Sequence, residues 1–136
     1  MNEATLSRIS VVTLGVADLE RAERFYMDGL GLQHAGPPKG IIYFRLEGAR
    51  LALFPRDDLA RYAGVEPTTP GGLSGTTLSC NVASRAEVDA LTARAEAAGA
   101  TVVRAPETVS WGGYCAWIAD PDGHLWEIVW NPKWDG

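Results

Sequence analysis

At 136 residues the chain can bury about two thirds of its unfolded surface, enough for one core or for two small modules that share one. A formal charge of −5, with only two lysines beside ten arginines and no basic run, leaves nothing to follow a phosphate backbone, so nucleic acid is not an expected partner. The opening MNEATLSRIS has no apolar leader core, and no apolar stretch approaches the ~20 residues that cross a bilayer, which predicts a cytoplasmic protein with no membrane partner.

Residues Ile9 to Val16 read as a strand, and DLERAERFYMDGL then places Leu19, Ala22 and Tyr26 on one helical face, with Asp18 as the cap and Gly29 and Gly31 as the stop. His34 follows in a Gly-rich turn, where a surface position is expected. IIYFRL and RLALF are strands joined around Glu47 and Gly48. The connector PRDDLARYAGVEPTTPGGLSG is long and rich in Pro and Gly. It reads either as a surface crossover with a short helical turn at DDLARY, or as a hinged flap over a pocket.

The same order then returns. Leu78 to Val82 is a strand, Ser84 and Glu87 form a capping box, and Val88, Leu91, Ala95 and Ala98 supply an apolar stripe that Gly99 ends. VADLERA from Val16 lies over VASRAEV from Val82, an offset of 66. TVV, YCAWIA and HLWEIVW complete the second half, the last two as a hairpin about Pro121, Asp122 and Gly123. The predicted fold class is α+β, a single domain of two fused β-α-β-β-β modules that form a curved mixed sheet around a cleft. Module one spans about 7–54, the connector about 55–75 and module two about 76–132. Cys80 and Cys115 have no short spacing and read as buried small side chains in a reducing compartment.

Alternation assigns faces. Leu78, Cys80 and Val82 point to the helices, which leaves Thr77, Ser79 and Asn81 on a polar face; the 66-residue offset makes Val11, Thr13 and Gly15 its counterpart. On the last strand Leu125, Glu127 and Val129 share one side, and His124, Trp126, Ile128 and Trp130 the other, so His124 is removed from Glu127. Pairing Ala119 with His124 sets Ala116 opposite Glu127 and brings Tyr114 onto the same face.

The strand-helix opening VVTLGVADLERAERFYMDGLGL, its second-half copy and the ending DPDGHLWEIVW resemble the vicinal oxygen chelate superfamily, which includes glyoxalase I, extradiol dioxygenases, and fosfomycin- and bleomycin-resistance proteins. The likeness runs from Ile9 to Pro132 and is more specific for fold than for function. It implies paired modules around a cavity and a homodimer. Metal-dependent members carry ligands on the cavity-facing strands; carried over, their first histidine falls at Val11, the second at Thr77 and the mid-module acid near Ala52, so only Glu127 matches. A protein-held divalent ion needs three or more converging donors. The resemblance therefore points to a metal-free, bleomycin-resistance-like binder of a small organic, aromatic or antibiotic-like molecule, with no cofactor expected.

The expected ligand-binding set is Thr13, Thr77, Ser79, Asn81, Trp111, Tyr114 and Glu127. Trp111, beside Gly112 and Gly113, is the pocket candidate among five tryptophans; Trp117 and Trp126 read as core, and Trp130 and Trp134 as cover for a dimer seam. Three roles stand open for Glu127: an ionised acceptor for a ligand amine or hydroxyl, a general base raised by burial, or a structural acceptor for Thr77 or Asn81. Two other readings compete with the binder. One is a lyase, isomerase or dioxygenase of the glyoxalase type whose divalent metal is held by Glu127 and a non-standard ligand such as Asn81; the other is a degenerate fold used for protein interaction.

Overall fold

The computed structural model describes residues 4–68 and 73–134. The described residues form an α+β structure in the order β1 (Val11–Val16), α1 (Leu19–Arg24), β2 (Ile42–Phe44), β3 (Arg50–Pro55), α2 (Arg56–Ala63), β4 (Leu78–Asn81), α3 (Arg85–Ala97), β5 (Thr101–Thr108), β6 (Tyr114–Ala119) and β7 (Leu125–Trp130). Two sheets result, one ordered β1-β3-β2 and one ordered β4-β7-β6-β5. In each, the opening strand runs parallel to the last strand of its half, Val11 beside Arg50 and Ser79 beside Glu127. Among the described residues no helix is long and apolar enough to cross a membrane.

The second half has all four expected strands, whereas the first has three and, in place of the fourth, a single bridge between His34 and Phe44. The intervening segment explains the loss. Pro37 and Pro38 have no N–H to give to a ladder.

Local chemistry starts α1 and α3 as their sequences predict. Asp18 accepts the Arg21 N–H at 3.1 Å, and Ser84 accepts the Glu87 N–H at 3.1 Å. Glu87 reaches back to the Ala83 N–H at 2.6 Å, one residue before the cap, so the capping box forms in a shifted version. α1 runs directly into a π-helical turn, Phe25–Gly29, closed by the Leu30 N–H on the Phe25 carbonyl at 3.0 Å. Gly31 at φ +82° and Gly99 at φ +117° then turn the chain out of the two helices. In the connector, DDLARY lies within a helix of eight residues, α2, and Tyr62 of α2 stacks on Phe54 at 6.2 Å. Pro70, Gly71 and Gly72 of the expected flap lie outside the described residues.

The helix-facing side chains of both sheets enter one apolar cluster. Leu14, Val16, Phe44, Leu51 and Leu53 from the first half meet Val88, Ala95, Ala116, Ile118 and Ile128 from the second. The helices meet closely, because a Cβ on Gly29 would stand 2.5 Å from the Ala98 Cβ. Arg94 Nε donates to the Gly29 carbonyl at 2.6 Å across the same contact.

The final hairpin corrects the expected register. Asp120 donates its N–H to the His124 carbonyl at 2.9 Å, which leaves a three-residue loop, Pro121, Asp122 and Gly123, with Gly123 at φ +90°. Ala119 therefore pairs with Leu125, and Trp117 rather than Ala116 lies opposite Glu127. One residue of slip exchanges the two faces of β6.

Candidate functional site

On the face of the second sheet turned away from the helices, β7 presents Leu125, Glu127 and Val129, with Ser79 of β4 on one side of Glu127 and Trp117 of β6 on the other. Ser79 Oγ donates to Glu127 Oε1 at 3.0 Å. As a structural acceptor Glu127 was expected to take its bond from Thr77 or Asn81; the donor observed is instead Ser79, its register partner. Thr77 precedes β4 and is exposed. Cys115, two residues before Trp117, is 5% exposed on this face. Burial pushes its thiol above the ordinary range; the nearby Glu127 charge and the thiol's hydrogen bond to that carboxylate push it further. Glu107 on β5 acts in the same direction and Arg104 in the opposite one, the two being joined to each other at 2.6 Å.

Tyr114 does not join this group. The corrected register turns it to the helices, where its hydroxyl donates to Asp89 Oδ1 at 2.7 Å and Arg85 lies 5.4 Å over its ring. Trp117, read from sequence as core, takes its place beside Glu127. The signal that would have found Trp117 and Cys115 is the length of the Pro-Asp-Gly loop, since it sets which β6 residues share a face with Glu127; Arg104 and Glu107 depend further on the bulged pairing of β5 with β6. Trp111 sits in the β5–β6 turn, half exposed, with its indole packed on Gly113, where a Cβ would fall 2.0 Å from the ring.

Thr13 is exposed on the corresponding face of the first sheet and borders a cavity of about 220 Å³ at the seam between β1 and β4, with Ser74, Thr76, His124 and Leu125. His124 is held there by its Nε2 against the Gly15 carbonyl at 2.8 Å. His34 is half-buried, paired through Nε2 with Glu23 Oε2 at 2.8 Å and stacked on Phe44, so it is not the free surface residue its sequence context suggests. Asn81 ends β4 and lines a separate cavity with Glu47 and Trp134. Thus Ser79 and Glu127 come together, Thr13 and Asn81 stand at two separate cavities, and Tyr114 points to the helices.

The positions at which the superfamily holds a metal do not supply a donor set here. Val11 and Ala52 carry no donor side chain, and Thr77 offers only a neutral hydroxyl beside the one carboxylate. Among the described residues no group of three His, Cys, Asp or Glu side chains is arranged to hold a metal ion. What the site offers is the Glu127 carboxylate, the Ser79 hydroxyl, the buried Cys115 thiol and the Trp117 indole on a half-open sheet face, with the Arg104–Glu107 ion pair on the neighbouring strand.

Residues 8–128 match the family model described as Glyoxalase/Bleomycin resistance protein/Dioxygenase superfamily. The chain is 34% identical over 119 residues to the uncharacterized protein Rv0887c of Mycobacterium tuberculosis, covering 85% of this chain and 69% of that protein. A crystal structure of a glyoxalase-related enzyme from Fulvimarina pelagi superposes with a TM-score of 0.88 at 37% identity, over 96% of this chain and 92% of the other. The lactoylglutathione lyase from Agrobacterium tumefaciens superposes with a TM-score of 0.71 at 27% identity, over 96% and 98%. With the family model spanning most of the sequence and the paired modules visible in the fold, the chain belongs to the glyoxalase/bleomycin resistance protein/dioxygenase superfamily.

Proposed function

We propose that the face around Glu127 binds a small organic molecule without a resident metal ion. The observation that carries this reading is the pairing of Glu127 with Ser79 on one side and Trp117 on the other. An ionised carboxylate takes a charge-assisted hydrogen bond from an amine or hydroxyl, and the indole beside it offers a stacking surface for a flat ring. A planar cationic compound meets both demands. A second copy of the chain, laid over the exposed part of this face, would turn an open surface into a pocket, which fits the homodimer expected from the resemblance.

Metal content after dialysis against a weak chelator, read with tryptophan quenching by planar cations, tests this. Quenching that saturates in metal-free protein and weakens about tenfold in Glu127→Gln, on the order of 1.4 kcal/mol, is the expected result. A second reading follows from the likeness to the lactoylglutathione lyase of Agrobacterium tumefaciens at 27% identity: a divalent-metal-dependent lyase, isomerase or dioxygenase. Near-stoichiometric metal that is lost in Glu127→Ala, together with turnover of a glyoxalase-type substrate, would replace the binder by that enzyme.

A further inference from the structure

Each strand of the second sheet contributes one residue to a row on the face turned away from the helices. Ser79 of β4 pairs with Glu127 of β7, Glu127 with Trp117 of β6, and Trp117 with Arg104 of β5. Register partners point to the same side of a sheet, and neighbouring strands lie about 4.8 Å apart, so a carboxylate and a guanidinium flank one indole, their backbones about 10 Å from each other. Arg104 joins this row through a bulge. Val102 pairs with Ile118, and unbroken pairing from there would set Val103 opposite Trp117 and Arg104 opposite Ala116, in the row turned to the helices. One extra residue in β5 places Arg104 beside Trp117 instead. A second shift, before Glu107, brings that carboxylate opposite Cys115 on the same face.

The guanidinium is open to a ligand. The Arg104 side chain is 66% exposed, and its one hydrogen bond among the described residues runs from Nη2 to Glu107 Oε1 at 2.6 Å. A guanidinium carries five N–H donors in a planar fork, and an exposed ion pair adds little stability, so a ligand carboxylate can share the fork with Glu107 or displace it. A cation alone would meet Glu127 and leave Arg104 unused. An anion alone would meet Arg104 but face the charges of Glu127 and Glu107. A flat ring with an ammonium at one end and a carboxylate at the other satisfies both charges and covers the indole between them. Resting on the binding role proposed for Glu127, we infer that the bound molecule is an aromatic zwitterion of this kind, with its ammonium on Glu127, its ring on Trp117 and its carboxylate on Arg104.

The probes are para-(aminomethyl)benzoate, benzylamine and benzoate, added to the full chain and followed by NMR through the indole N–H signal that Trp117→Phe removes. The zwitterion should bind about tenfold more tightly than benzylamine, a difference of about 1.4 kcal/mol, and benzoate should bind least. In Arg104→Gln that advantage should vanish while benzylamine binds at least as tightly as before. Arg104 is exposed on an edge strand, so this variant should melt with the parent protein. Benzylamine that binds as tightly as the zwitterion, or an advantage that persists in Arg104→Gln, overturns the inference and leaves Glu127 as a binder of cations. If none of the three probes moves the Trp117 signal, the inference and the binding role of this face fall together.

Discussion

Glu127 acts on its neighbours even before a ligand is considered. Its charge and its hydrogen bond with Cys115 add to the burial that raises the thiol, so the reactive thiolate is scarce at neutral pH. Cys115 should therefore alkylate slowly with iodoacetamide, and Glu127→Gln should move the pH profile of that reaction downward, read by the mass of the labelled peptide. An unchanged profile would mean that burial alone controls the thiol. The face that Glu127 occupies was legible in the sequence, because alternation on one strand suffices to place it with Leu125 and Val129. Its cross-strand company was not legible. That depends on how many residues the neighbouring loop removes from the ladder, and Pro-Asp-Gly is compatible with more than one answer.

Capping residues and the 3.6-residue stripe identified α1 and α3 from local chemistry, and both helices form where Asp18 and Ser84 place them. The π-helical turn at Phe25–Gly29 has no such local signature; it lies where Gly29 meets Ala98 and Arg94. Gly29 sits in that turn because the neighbouring helix leaves no room for a side chain. Gly29→Ala should cost about 1–3 kcal/mol by forcing α1 and α3 apart, seen as a lower denaturation midpoint, whereas Gly36→Ala is strained only by its φ of +122° and meets no neighbour. An unchanged midpoint in Gly29→Ala would remove close packing as the reason for glycine at position 29. In the first half, β strands were expected in equal number to the second. The segment before β2 contributes only the His34 to Phe44 bridge, and Pro37 and Pro38 just beyond it have no N–H with which to extend the ladder.

The two halves are tied by polar groups as well as by the shared apolar cluster. Tyr26 donates its hydroxyl to Asp120 Oδ2 at 2.6 Å and accepts the Trp126 indole N–H at 3.0 Å, while Asp122 Oδ1 accepts from the Ala17 N–H at 2.8 Å and from Arg21 at 3.1 Å. None of this was legible in the sequence, since no periodicity connects residues so distant. Burial, and then the Asp120 charge, hold the Tyr26 phenol well above its ordinary value. A pKa raised by folding gives stability that is complete below the unfolded value, about 10, and is lost as pH rises from there through the folded value. Tyr26→Phe should cost about 1–3 kcal/mol at neutral pH and remove that alkaline loss, measured by urea denaturation across the pH range. A variant that keeps the parent's alkaline slope would show that the loss arises elsewhere. These ties join residues 94 to 105 positions apart in the chain, so closing them costs loop entropy that the local contacts of each half do not. Repetition of the sequence has thus not produced two interchangeable copies. A chain opened within the connector would give one fragment that carries the phenol and another that carries its carboxylate, two unlike pieces each of which finds its missing partner only in the other.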